Sequence, residues 1–498
     1  MCREANALGV QKCQVIFDRT LKTLKRIFVK MRRHTSGRLS RDSIVQFGSK
    51  GLKKVLGLPE VTFITIGFMI GGGIFVFTGI VLKITGQALP LAYGLAVVPV
   101  FISMMPIAML GVAIPSTGAN YKYPSRMVSP GLAFLGIWVY AFSSFFGQIP
   151  LYAISCGNYI TIFFPKLSPH TFAVVLITVI FLVNLFGIRF AAQVQGLLVI
   201  ILILALTYYS YKGMTVLQPK NFCSFFDKGS VNLLVGTALL TFTYFGANSI
   251  IELGGEIVNP GKVIPTAFFI SFTIVVILYV SVAIATVGAV SMESLTHSVE
   301  PVLDVSKTVM TSTARSLFVI CGALVALVTT LNALFMVSTK SLLIVVEDGL
   351  LPACLGRLNN RFGTPHILLI IIWLSTVIGI LLNLPMKTLA SYASLGGLII
   401  FFPVMIAAIK FPTLYPDKYN SAPFKPNPLQ LRFCAFTGIV MVLFFGTVLF
   451  IDLETLLNIS GFFLFFISGA LYYFLRKRYL LNIGVDLNTL IGKEDWDG

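Results

Sequence analysis

Twelve apolar stretches alternate with short polar or basic connections along most of the chain. They run approximately over residues 60–83, 89–113, 131–163, 170–188, 192–211, 232–251, 265–290, 316–346, 366–384, 388–411, 431–451 and 455–475. About 20 apolar residues carry a helix across a bilayer. The pattern therefore predicts an all-α polytopic membrane protein with twelve transmembrane helices. The third and eighth stretches are over-long, which predicts tilt or extension beyond the bilayer.

Two stretches are interrupted. Residues 59–83 read PEVTFITIGFMIGGGIFVFTGIVLK, with Gly71, Gly72 and Gly73 in a row at mid-span. Glycine costs roughly 1 kcal/mol per residue in a helix interior, so the triplet is expected to unwind the helix. Freed N–H and C=O groups at that depth must face protein or a cavity. A half-helix N-terminus there suits a carboxylate. The alternative use of such glycines is close helix packing. Residues 239–265 read LLTFTYFGANSIIELGGEIVNPGKVIP, with Gly246 breaking an aromatic run. Matching breaks in the first and sixth stretches point to a repeat-built transporter with a central site.

Composition agrees. The chain has 498 residues, 56% hydrophobic and 11% charged, with a mean hydropathy of +0.90. Soluble domains carry about 25% charged residues. The net charge of +18 does not point to nucleic acid, because 14 of the 37 Lys and Arg precede the first apolar stretch. That placement predicts a cytoplasmic N-terminus, and twelve spans put the C-terminus on the same side. About 29 Lys and Arg then fall on cytoplasmic segments and about 8 outside. Residues 15–33 fit either a surface helix on anionic lipid or a tail that sets topology. The seven Cys at 2, 13, 156, 223, 321, 354 and 434 form no spaced framework, so neither disulfides nor a metal site is expected. No nucleophile, base and orienter trio appears at membrane depth, so no enzyme activity, catalytic residue or cofactor is expected.

The pattern G-x-x-I-G-G-G-I-F at Gly67–Phe75, after Pro59-Glu60, resembles the first transmembrane helix of the amino acid–polyamine–organocation superfamily of secondary transporters. Further segments resemble the same superfamily in order. Residues 115–123 match P-x-x-G-G-x-Y-x-Y, with Ala119 for the second Gly. Residues 255–265 match E-E-x-x-N-P-x-R-x-I-P, with Gly255 for the first acid and Lys262 for Arg. Residues 338–352 match the segment ending D-G-x-L-P, with Lys340 for Arg, and residues 422–426 read Ala-Pro-Phe-Lys-Pro. The resemblance covers roughly residues 55–478. It implies the leucine-transporter fold: a 5+5 inverted repeat with helices 1 and 6 broken. On this reading residues 1–58 form a basic arm, 59–411 the ten-helix core, 412–430 a Pro-rich cytoplasmic loop, 431–475 helices 11 and 12, and 476–498 a cytoplasmic tail.

The site implied is an amino acid site. N–H groups of Ile70, Gly71, Gly72, Gly73 and Ile74 would hold the carboxylate. Carbonyls of Tyr244, Phe245 and Ala247, around Gly246, would take the ammonium. Tyr244, Phe245 and Asn248, with Ser144 and Gln148, would select the side chain. Each has a structural use as well: Phe245 in packing, Asn248 as a helix cap, Ser144 and Gln148 in interhelical hydrogen bonds. No acid lies in the broken segments, which favours neutral or apolar substrates over a polyamine or organic cation. A non-transporting sensor is the other alternative.

The position where some proton-linked relatives carry a Lys is Leu202. Thr329 and Thr330 keep hydroxyls where sodium-binding relatives use Ser or Thr. A coupling cation, H+ or Na+, thus stands level with simple exchange. Arg126, Arg189, Glu252 and Glu256 are expected to form an inner gate. The expected partners are substrate and lipid bilayer, the partner subunit is open, and the location is a plasma or bacterial inner membrane.

Overall fold

The computed structural model describes residues 53–487, apart from 162, 224, 297, 299, 360 and 452–455, together with residue 491. Most of the basic arm, including the stretch at 15–33, lies outside the described residues. Among those described, all regular structure is helical except two isolated β-bridges, Leu56 with Ile257 and Thr117 with Leu253.

The chain runs through α1 (Leu58–Met69), α2 (Thr78–Thr85), α3 (Leu89–Ala113), α4 (Ala119–Met127), α5 (Pro130–Ser143), α6 (Ile149–Ile160), α7 (Pro169–Leu185), α8 (Ile188–Thr215) and α9 (Gly229–Thr241). It continues through α10 (Ser249–Glu252), α11 (Pro260–Ala289), α12 (Val325–Glu347), α13 (His366–Leu381), α14 (Met386–Ile399), α15 (Phe401–Leu414), α16 (Pro428–Ile451) and α17 (Leu456–Asn482). Nine helical stretches among the described residues are long and apolar enough to cross a membrane. α7 and α13 are shorter apolar helices.

Local signals explain the ends. α1 opens with Pro59 in its first turn, and the Glu60 carboxylate accepts the N–H of Gly57 at 2.9 Å, as a capping box requires. α8 shows how the helices face outward. Leu197, Ile200, Leu204, Tyr208 and Tyr211 are exposed along one side. Ala192, Gln195, Val199, Leu202, Leu206 and Tyr209 are buried along the other. The exposed stripe is apolar, which suits a lipid solvent.

The interior is organised around α1 and α12. α1 packs against α8, α11, α12 and the Phe242–Asn248 turn, and α12 packs against α6, α8 and α4. Both breaks are present but are milder than the glycine count suggests. α1 stops at Met69, Ile70 is a bend, Gly71 and Gly72 are helical again, and Gly73–Phe77 is a π-helical turn. The sixth stretch tightens into a 3₁₀ turn over Phe242–Asn248, not an extended strand. π and 3₁₀ turns inside longer helices are common at functional hinges.

Close approach explains the glycines better than flexibility does. A Cβ on Gly71 would lie 1.8 Å from Thr330 Oγ1, one on Gly72 2.5 Å from Tyr152 Cε1, and one on Gly73 2.9 Å from Thr243 Cβ. A Cβ on Gly246 would lie 2.6 Å from the carbonyl carbon of Phe68. Of the two expected uses of these glycines, packing is the one seen: the triplet stays helical or π-helical and does not unwind. The backbone bends at Ile70, and it does so while pressed against the sixth stretch.

Candidate functional site

The two bent segments enclose a cavity of about 60 Å³. That is well below the roughly 150 Å³ of an engineered cavity that admits benzene, so the site is contracted in this conformation. Gly71, Gly72, Gly73, Gln148, Phe245, Gly246 and Asn248 line it, as do Phe68, Met69, Tyr140, Tyr152, Thr243 and Phe401. No Asp, Glu, Lys or Arg is among its lining residues. The Asn248 carbonyl oxygen Oδ1 is buried and has no hydrogen-bond partner among the described residues.

Other residues named from the sequence lie behind this wall. Ile70, Ile74, Ser144 and Ala247 are buried and do not line the cavity. The N–H of Ile70 donates to the Ile66 carbonyl at 2.9 Å, so it is engaged within the helix in this state. The Ile74 carbonyl accepts the Thr78 hydroxyl at 2.5 Å. Tyr244 also points away. Its hydroxyl donates to the Tyr93 carbonyl at 3.0 Å, and its ring lies parallel to that of Phe272. Phe245 instead sits against Phe401, with ring centroids 4.9 Å apart, and walls the cavity.

The second polar locus joins α4, the 252–256 turn and α12. Gly118 opens α4 in the left-handed region at φ 63°, where a side chain would be strained. A Cβ there would also lie 2.7 Å from the Lys340 carbonyl oxygen. The Gly118 N–H donates to the Glu252 carbonyl at 3.0 Å. Within the segment at 115–128, Ala119–Met127 is thus a docked helix.

The expected gate residues take partners other than one another. Arg126 binds both carboxylate oxygens of Asp348, at 2.6 and 2.7 Å, and the Tyr121 hydroxyl donates to Asp348 at 2.6 Å. Burial, and then the Asp348 charge, push the Tyr121 hydroxyl well above the usual phenol range, so it remains a donor. Lys340 pairs with Glu256 at 2.9 Å, with both side chains nearly covered. Burial pushes the Glu256 carboxyl up, against the Lys340 ammonium that favours its charge. Glu252 accepts the Asn120 N–H at 2.7 Å and the Ser341 hydroxyl at 2.5 Å. Arg189, at the start of α8, is exposed and does not join this cluster. It lies at a helix start facing solvent, and sequence position alone did not show that.

At the position considered for a cation, Leu202 is buried and apolar. Thr329 donates to Ala326 O at 2.8 Å within its own helix. Thr330 donates at 3.1 Å to the Gly67 carbonyl of α1 and at 3.2 Å to Ala326. Beside them Asn184, Asn332 and Gln195 form a buried amide chain linking α7, α12 and α8. Among the described residues no group of three His, Cys, Asp or Glu could hold a metal.

A family of proteins described as amino acid permeases matches residues 56–473, which takes in both bends, the cavity and the charged cluster. The chain belongs to the amino acid permease family. This permease is 24% identical over 461 residues to the branched-chain amino acid permease of Bacillus subtilis, covering 86% of this chain and 94% of that one. It is 27% identical over 480 residues to the human large neutral amino acids transporter small subunit 2, covering 90% and 86%. It is 25% identical over 406 residues to the methylthioribose transporter of Bacillus subtilis, covering 76% and 86%. With nine long apolar helical stretches among the described residues, the permease is a multi-pass membrane protein.

Several residues of the cavity and the charged cluster were not legible in its sequence. Tyr140, Tyr152 and Thr243 of the cavity sit in ordinary apolar runs, and Asp348 reads as a helix stop. Only their spatial partners mark them. A usable signal was the glycine run at 71–73, whose close neighbours include Tyr152 and Thr243.

Proposed function

We propose that the permease moves neutral amino acids across a plasma or bacterial inner membrane by alternating access. The observation that carries this reading is the neutral lining of the cavity between the two bends. A cationic or acidic side chain, or a polyamine, buried there would lack a counter-charge, and burying an unpaired charge is costly. The names of the relatives, branched-chain and large neutral amino acid carriers, support the same class.

On this reading twelve spans form two inverted five-helix halves followed by two further helices, with both termini cytoplasmic. N–H groups of Gly71, Gly72, Gly73 and Ile74 take the carboxylate when the bend opens. Carbonyls of Phe245 and Ala247 take the ammonium, as does the unpaired Asn248 oxygen. Gln148 and Phe245 meet the substrate side chain, and Phe245 against Phe401 closes one wall. The Arg126–Asp348 and Lys340–Glu256 pairs lock the cytoplasmic side. The contracted cavity must widen to admit a ligand, and the π and 3₁₀ turns are the places that give.

Uptake of labelled leucine into proteoliposomes, competed by alanine, leucine, arginine, glutamate, putrescine and methylthioribose, tests the class. Competition by leucine and alanine alone is expected. Competition by putrescine or arginine alone would overturn it, and competition by methylthioribose alone would move the assignment to a thio-sugar. Gly72→Leu places a side chain 2.5 Å from the Tyr152 ring. It should abolish uptake while the protein still inserts, and unchanged uptake would remove the carboxylate assignment.

A further inference from the structure

The charged cluster holds two cations, Arg126 and Lys340, for three buried carboxylates, Glu252, Glu256 and Asp348. Lys340 is committed to Glu256. Glu252, one turn earlier and wholly buried, has only neutral donors, the Asn120 N–H and the Ser341 hydroxyl. Among the described residues no Lys or Arg forms an ion pair with it. The charged groups on the elements packed around it are otherwise placed. Arg126 of α4 holds Asp348 at the end of α12. Glu60 of α1 caps Gly57. Lys262 of α11 is exposed, Lys122 of α4 and Glu347 of α12 are half-buried, and α3 carries no charge. The nearby phenols are Tyr121, bonded to Asp348, Tyr123, bonded to the Ile114 carbonyl, and Tyr140 of α5, buried beside the cavity.

Two neutral donors reduce the cost of burying a carboxylate but supply no counter-charge. A buried carboxyl in that position favours the form that carries a proton. The Ser341 hydroxyl can accept that proton. The 2.5 Å contact to Ser341 works with either oxygen as donor.

We infer that Glu252 is a proton-binding site. It holds a proton on its carboxyl while the helix at 119–127 is seated, and gives that proton to water when the helix lifts away. The inference rests on the alternating-access reading for its second half only. Because the seated form binds the proton more tightly, acid pH stabilises the seated form and alkaline pH frees it. Asn248, which lines the cavity, is one turn from Glu252, so the two loci share a segment.

The test uses the full chain in proteoliposomes, with labelled leucine exchange measured across pH. Wild-type exchange is expected to rise severalfold from acid to alkaline pH. Glu252→Gln, which mimics the protonated form, should stay at the acid-pH rate throughout. A flat wild-type profile, or a Glu252→Gln profile equal to wild type, would overturn the inference. Should Glu252→Gln fail to fold, Ser341→Ala serves instead. Losing a donor to the carboxylate should move the midpoint of the profile to higher pH, and an unmoved midpoint overturns the inference as well. Infrared difference spectra of wild type against Glu252→Gln add a readout that needs no transport: a buried carboxyl C=O band absent from the variant. The band without flux of any amino acid sinks the transport reading and keeps the proton site. Flux with neither the band nor the pH dependence does the reverse.

Discussion

The cavity and the charged cluster are adjacent parts of the same helices, yet they are built from opposite materials. The cavity is lined by glycines, rings, one Asn and one Gln, with no charge. The cluster places Arg126, Glu252, Glu256, Lys340 and Asp348 among buried residues. Asn248 and Glu252 are one turn apart, and Val337 of the cavity is one turn from Ser341. The contrast separates two tasks. A neutral site made of backbone and amides can release a zwitterion, because it keeps no buried charge unpaired when empty. An ion-paired site gains from being either fully closed or fully open to water, because partial separation strands charges in a poor solvent.

If that contrast is right, breaking the cluster should cost the most stability. Asp348→Asn removes the carboxylate charge that both guanidinium nitrogens of the buried Arg126 side chain bind. Thermal unfolding in detergent should report a loss of about 3–5 kcal/mol, and replacing both partners by apolar residues should restore much of it. A loss below about 1 kcal/mol would mean that the pair is hydrated. The joint between the two bends should come next. Gly246→Ala puts a methyl 2.6–2.7 Å from the backbone of Phe68 and Met69. It should cost about 1–3 kcal/mol and reduce leucine uptake more than stability. A smaller effect is expected where the bend meets its scaffold. Thr330→Val removes the hydroxyl bonded to Gly67 O, worth about 0.6–1.7 kcal/mol between membrane helices. The smallest belongs to the exposed Lys307–Asp304 pair at 2.7 Å: Asp304→Asn should shift unfolding by no more than about 1 kcal/mol.

Much of the architecture was legible because lipid leaves few options. Helices must satisfy their own backbone, so hydropathy outlines them directly. The positions of both bends followed from Gly71–Gly73 and Gly246, although their form did not. The triplet reads as an unwound segment, whereas Ile70 is the bend and the glycines are the contact surface. The cluster was half legible. Buried Glu252 and Glu256 announced a polar locus, but their partners could not be named. Asp348 reaches Arg126 across 222 residues of sequence, and Lys340 reaches Glu256 across 84. Arg189 looked equivalent to Arg126 and is exposed.

What the amino-acid order determined by itself is the set of apolar helices, their two interruptions and the neutral character of the broken segments. Those are local properties, set by side-chain transfer into lipid and by glycine's weak helix preference. What only the tertiary structure decided is which surfaces meet at the interruptions. Tyr152, Thr243 and Thr330 face the glycines, Gly246 presses on Phe68, and Lys340 pairs with Glu256 while Glu252 meets only neutral donors. Those are questions of distance between helices, and no local preference encodes them.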